Sequence, residues 1–212
     1  MSDPLVLGVL ASGRGSNLQA IMDAISGGSL QATVGVVLSN KKEAQALDRA
    51  KAQGIPAYHF DPKGYPGREA YDTVLLERLR AYDVGLVVLA GYMRLLTSVL
   101  VRPYLGRMIN IHPSLLPAFP GLHAQRQAIE YGVKVSGCTI HFVDEKMDHG
   151  PVIAQSVVPV LPGDTEDALA DRILIEEHCL LPKVIQMFAE GRLSIEGRIV
   201  RDHRHTRIGA EG

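Results

Sequence analysis

The stretch L-V-L-G-V-L-A-S-G-R-G-S-N, residues 5–17, passes from a continuous apolar run (Leu5–Leu10) into a glycine turn, and then into the helically periodic residues 18–25. A strand that is apolar at every position is buried on both faces, which is the mark of a parallel sheet. The turn Ser12-Gly13-Arg14-Gly15-Ser16-Asn17 opens a helix whose free N–H groups and dipole favour an anion. Its glycines let the backbone approach that anion closely. The turn has neither the G-x-G-x-x-G spacing nor a P-loop lysine. A mononucleotide-like phosphate therefore fits it better than a dinucleotide, and the plain alternative is a turn with no ligand.

Outward from there, strands and helices alternate. Residues 33–38 read as a strand, 42–53 as a helix ended by Gly54, and 56–60 as a short strand. Residues 68–82 read as a helix through Tyr71, Val74, Leu75 and Leu79, and 84–90 as another buried strand. This alternation predicts an α/β, Rossmann-like fold: a mostly parallel twisted sheet with helices on both faces. Ligands of such sheets lie beyond the carboxyl ends of the strands. Gly91-Tyr92-Met93-Arg94-Leu95-Leu96 leads into a helix near 97–101, and on the plain reading Met93 and Leu96 enter the core. Further on, residues 124–131 read as a helix. Residues 133–143 and 152–159 read as strands joined by the loop 144–150, giving the sheet an antiparallel C-terminal portion. An acidic turn, Asp164-Thr165-Glu166-Asp167, starts a long helix that Pro182 should break or kink, or that continues past it to Phe188. Residues 194–200 form a late strand or an irregular tail.

Chemistry concentrates in M-I-N-I-H-P-S-L-L-P, residues 108–117. Residues two apart in a strand share a face, so Asn110 and His112 project together just before a proline ends the strand. An amide beside an imidazole suits a developing oxyanion. The same pair reads equally as a strand-end turn and a satisfied histidine. The answering segment is D-E-K-M-D-H-G-P, residues 144–151. A carboxylate at Asp148 there would hold a nearby histidine charged, or would be an ordinary turn aspartate.

N-I-H-P-S-L-L-P, then P-G-L-H, then H-F-V-D-E-x-x-D-x-G-P, with the N-terminal G-x-G-S-N, together resemble the formyltransferase family that uses 10-formyltetrahydrofolate. The likeness runs from Val6 to about Phe188 and is closest to the branch that formylates glycinamide ribonucleotide in purine synthesis. It implies one domain over residues 1–212: a phosphate-binding half to about 100, a folate-binding and catalytic half to about 190, and a tail. By the same resemblance Asn110, His112 and Asp148 are catalytic. Gly15, Ser16 and Asn17 hold the substrate phosphate and Glu177 its ribose. Arg68, Met93, Arg94, Leu95, Leu96, Val143, Asp144 and Met147 receive the folate, and His141 supports the site. A cis bond before Pro117 also fits the family. 10-Formyltetrahydrofolate would be a co-substrate, with no metal, nucleic acid or membrane involved, in a monomer or homodimer. The same scaffold admits hydrolysis of 10-formyltetrahydrofolate, or formylation of methionyl-tRNA. Those relatives carry an extra domain for which 212 residues leave no room. A non-catalytic folate- or nucleotide-binding protein and a purely structural α/β domain complete the alternatives.

Composition agrees with a globular chain. Apolar residues make up 46%, and 22 Lys+Arg against 23 Asp+Glu give a net charge of -1, so nothing advertises a nucleic-acid partner. No apolar run reaches the ~18 residues of a membrane span, and the N-terminus lacks a basic leader. The expected location is the cytoplasm, with Cys138 and Cys179 as reduced core thiols. The tail from Arg198 through Arg201, His203, Arg204 and His205 to Arg207 reads as a solvated basic terminus. His203 and His205 are too few ligands for a metal site.

Overall fold

The computed structural model describes residues 4–203. Its centre is a seven-stranded sheet in the order β3-β2-β1-β4-β5-β6-β7. The strands are β1 (Leu5–Leu10), β2 (Ala32–Ser39), β3 (Ala57–His59), β4 (Leu86–Leu89), β5 (Met108–His112), β6 (Val135–Phe142) and β7 (Val152–Pro159). The first five pair in parallel, while β6 runs antiparallel to both β5 and β7. Pairing turns antiparallel at β6, which follows a long connection containing the helix Ala124–Tyr131, and stays so through the loop to β7.

The sheet sorts side chains by parity. Leu7, Val9, Leu86, Val88, Ile109, Ile111, Ile140 and Phe142 face one core. That core is completed by α1 (Ser16–Ser26), α2 (Gln45–Ala52), α5 (Ala124–Tyr131) and the 24-residue α6 (Glu166–Ala189). Leu10, Val36, Leu38, Val87, Leu89 and Met108 face the other core, covered by α3 (Arg68–Ala81) and α4 (Ser98–Val101). On this second face β5 and β6 carry Asn110, His112, Thr139 and His141 in place of aliphatic residues, paired across the ladder as Asn110–His141 and His112–Thr139. Loops rather than a helix cover that polar strip.

The structure settles or corrects several sequence expectations. Of the courses open at Pro182 the helix takes the continuation, running through it to Ala189. A proline removes one helical hydrogen bond, but Leu181, Val184 and Ile185 are fully buried around it, and their packing holds the helix together. Cys138 is buried as expected, whereas Cys179 lies on the exposed side of α6. Met93 is 63% exposed and not a core residue. The helix expected over 42–53 begins only at Gln45. Residues just before it turn through a hydrogen bond from Ala44 N to Lys41 O, and Ala46 N donates to Gly13 O at 3.2 Å, tying the helix start to the glycine turn. Residues 194–200 belong to a hairpin, β8 (Leu193–Glu196) and β9 (Ile199–Asp202), whose turn uses Gly197 at φ 64. Arg204, His205 and Arg207 lie outside the described residues.

Candidate active site

The polar strip becomes a site because the segment after β5 folds back over it. Thr139 Oγ1 donates to Ser114 O at 2.6 Å and accepts from Leu116 N at 3.0 Å, while Gln155 Nε2 reaches both Thr139 Oγ1 and the Leu116 carbonyl. The Leu116–Pro117 bond is cis. Pinned in this way, the segment delivers two backbone groups. The Phe119 carbonyl sits 2.9 Å from His112 Nε2, and Gly121 N donates to Asp148 Oδ2 at 2.7 Å. Phe119 and Asp148 both adopt left-handed backbone, φ 52 and 47. That conformation costs a non-glycine residue about 1–2 kcal/mol and collects where a site over-determines the chain.

Asp148 gathers the rest. His112 Nδ1 is 3.5 Å from its Oδ2, both side chains being largely buried, and Asn110 Nδ2 is 3.4 Å from its Oδ1. The structure thus brings Asn110, His112 and Asp148 together. His141 joins them. Its Nδ1 bonds to the Phe142 carbonyl at 2.8 Å, which only a protonated nitrogen can do. Nε2 is left with its lone pair toward Asn110 Nδ2, 3.2 Å away. Burial pushes the His141 imidazole below its usual pKa, outweighing the Phe142 carbonyl and the Asp148 charge that favour the cation. The neutral ring is thus an acceptor that orients the Asn110 amide.

The glycine turn lies beyond the carboxyl end of β1. Gly15, at φ 71, precedes α1, and a Cβ there would stand 2.7 Å from Ala46 Cα, so α2 crosses too closely for any other residue. Ser16 begins the helix. Asn17 is buried and donates through Nδ2 to Glu177 at 2.7 Å, across 160 residues of sequence. Glu177 is buried on α6, and burial raises its carboxyl pKa despite the Asn17 hydrogen bond. The phosphate-side candidates are therefore drawn together, and Asn17 Oδ1 is buried with no partner.

Of the proposed folate residues, those after β4 form one group. Leu89 pairs with Asn110, so the loop that follows emerges beside β5. Arg68, at the start of α3, donates to the Leu95 carbonyl at 3.0 Å, and the Arg94 guanidinium sits 5.2 Å from the Tyr71 ring centroid. Leu96 packs on the α3 side of the core. Ser12 ties the loops together: its hydroxyl donates to Asn40 Oδ1 and accepts from Met93 N at 2.8 Å. Met147, in the Asp148 loop, approaches Gly121. Asp144 in that loop accepts from Lys146 N and His149 Nδ1; burial opposes its ionisation, but these bonds hold its carboxyl below the usual range. Val143 stands apart, at the amino end of β5, where its N–H donates to Met108 O. Backbone groups were what sequence reasoning missed: the Phe119 carbonyl and the Gly121 N–H have no side-chain signature, and the only hint is the turn-forming Pro120-Gly121 pair.

A parallel sheet that turns antiparallel after β5, with an Asn, a His and an Asp meeting there, defines a class that comparison with known proteins identifies. The formyl transferase family model matches residues 6–185, and the chain belongs to that family. The phosphoribosylglycinamide formyltransferase of Escherichia coli (strain K12) is 48% identical over 187 residues, covering 88% of each chain. That of Bacillus subtilis (strain 168) is 44% identical over 178 residues, covering 84% of this chain and 91% of its own. The crystal structure of glycinamide ribonucleotide transformylase 1 from Symbiobacterium toebii superposes with a TM-score of 0.95 at 54% identity, over 96% of each chain.

Proposed function

We propose that this protein transfers the formyl group of 10-formyltetrahydrofolate to the primary amine of glycinamide ribonucleotide, a step of purine synthesis in the cytoplasm. The observation that carries the reading is the meeting of Asn110, His112 and Asp148 on one strip at the end of β5. The acceptor phosphate would lie on the N–H groups of Gly15, Ser16 and Asn17, with the helix dipole behind them, and the ribose hydroxyls on Glu177. The folate would cover Met93, Leu95 and Met147, three large apolar side chains that are each more than half exposed. Its acidic tail would meet Arg68. Such uncovered apolar surface beside polar groups is what a flat heteroaromatic ligand fits.

The amine attacks the formyl carbon, and the carbonyl oxygen becomes an oxyanion. Asn110 would donate to it by giving up its long contact with Asp148. His112 has acceptors facing both ring nitrogens, Phe119 O and Asp148 Oδ2. That surrounding suits the doubly protonated ring, which brings a positive charge and, by exchanging the Phe119 carbonyl, a second donor. The new ammonium must lose a proton and the folate N10 must gain one before the C–N10 bond breaks. His112 and Asp148 are the groups positioned to pass it. Holding amine and formyl carbon together accounts for much of the remaining acceleration, since effective molarities for aligned groups reach ~10⁵ M or more.

The test is an absorbance assay of deformylated folate with purified protein and 10-formyltetrahydrofolate, run with and without glycinamide ribonucleotide. Release that depends on the nucleotide supports the transferase. Equal release without it makes the protein a hydrolase, and binding of both ligands with no release makes it a binding protein.

A further inference from the structure

The loop that presents Asp148, residues 144–150, has left-handed backbone at its key residue and mostly exposed neighbours. It must be held by what surrounds it. Part of that hold is internal, from the Asp144 carboxylate on Lys146 N and His149 Nδ1. The rest arrives from the far end of the chain. Arg198, at the tip of the β8–β9 hairpin, donates through Nη2 to the His149 carbonyl at 2.8 Å, and its Nη1 stands 3.3 Å from His149 Nε2. The same Nη1 stands 3.4 Å from Nδ1, so the guanidinium lies against the imidazole ring, whose Nδ1 bonds to Asp144 at 2.8 Å. Arg198 thus reaches the loop across 49 residues of sequence. The hairpin that carries Arg198 is closed at its base, where Arg192 grips Asp202 with two hydrogen bonds of 2.8 and 2.7 Å and His203 N returns to Arg192 O at 2.8 Å, and its β9 packs against β7.

We propose that Arg198 is a positioning residue, which through the carbonyl and ring of His149 holds the loop so that Asp148 faces Asn110 and His112. The proposal rests on the transferase reading for its kinetic consequence but not for its structural one. Exposed polar contacts of this kind contribute little to global stability, whereas a misplacement of about 1 Å in a catalytic group can cost up to ~10²-fold in rate. The effect therefore belongs in turnover rather than in melting temperature.

The experiment compares the parent with Arg198→Ala, Arg198→Lys and Arg201→Ala. Arg201 sits on the same hairpin but pairs with Glu196, away from the loop. Each protein is measured for kcat, for the KM of both substrates, and for hydrogen exchange of the amides in residues 144–150. Arg198→Ala is expected to lower kcat about tenfold and to speed loop exchange, with the KM for the ribonucleotide unchanged. Arg198→Lys should recover part of the loss, because an ammonium still reaches the His149 carbonyl. Arg201→Ala should match the parent. Parent-like turnover and loop exchange in Arg198→Ala would overturn the proposal. So would equal losses in Arg198→Ala and Arg201→Ala with earlier melting of both, which would mean the hairpin acts through stability alone. If the parent shows no nucleotide-dependent turnover, the transferase reading fails, and loop exchange in Arg198→Ala alone decides whether the clamp exists.

Discussion

Asn110 has two amide hydrogens and, on the proposed mechanism, three acceptors competing for them: His141 Nε2 at 3.2 Å, Asp148 Oδ1 at 3.4 Å and the oxyanion. The longest, least favourable contact is the one to be exchanged, while His141 keeps the amide aimed. Asn110→Ala should therefore lower kcat by about 10²–10³ and leave the melting temperature near that of the parent. Parent-like turnover in a folded variant would remove Asn110 from the chemistry. Glu177 makes a prediction of the opposite kind. Burial raises its pKa in the fold, so folding favours the protonated form, and the native state is penalised once pH rises above the ordinary carboxylate range. The penalty grows until pH passes the raised value and is constant beyond it. Glu177→Gln, neutral at every pH, should melt above the parent at pH 7–8, with the gain shrinking as pH falls through the carboxylate range. Thermal melts across pH 4–8 read this directly, and a gain that persists undiminished at pH 4 would contradict it. At this scale the sequence was informative about which side chains meet at the end of β5. It was silent about the backbone groups that join them, since no residue type encodes the Phe119 carbonyl or the Gly121 N–H.

Among elements, the glycine turn shows how local backbone and long-range packing select the same residue. Gly15 needs φ 71 to start α1, and its missing Cβ leaves room for Ala46 of α2. Gly15→Ala should cost about 1–2 kcal/mol from backbone strain alone, plus whatever the displaced α2 adds, measured by urea unfolding. An unchanged midpoint would mean the turn relaxes. The turn, the helix behind it and the alternation of strands and helices were readable, because period and glycine spacing are local signals. At Pro182 the local signals left both a break and a continuation to Phe188 open, and the helix continues. What holds that helix is the burial of Leu181, Val184 and Ile185 against strands far away in sequence, and tertiary packing overrides a local breaker. The terminal hairpin escaped for a related reason: it is short and half exposed, and its fixing contacts, Arg192 to Asp202, are ionic rather than periodic.

For the molecule as a whole, the two cysteines report on the two sides of the fold. Cys138 is fully buried in β6, and burial, with the nearby Glu177 charge, pushes its thiol up to about 12. Cys179 is exposed. A disulfide thiol reagent at pH 8 should label one thiol per native chain quickly and the second only on global unfolding. Two fast thiols in the native protein would place Cys138 wrongly. That one of the pair would be exposed could not be read from sequence, because the long helix is apolar on more than its core-facing side.

The bond between Asn17 and Glu177 also has a meaning in time. A ribosome delivers residue 17 well before residue 177. Until α6 emerges, Leu18, Ile21 and Met22 of α1, together with one face of the central strands, lack the helix that covers them. A nascent chain therefore carries an open apolar face until then, and exposed apolar surface of this kind favours aggregation. On the proposed reading, the acceptor pocket closes only when α6 folds back onto α1 and brings Glu177 to Asn17.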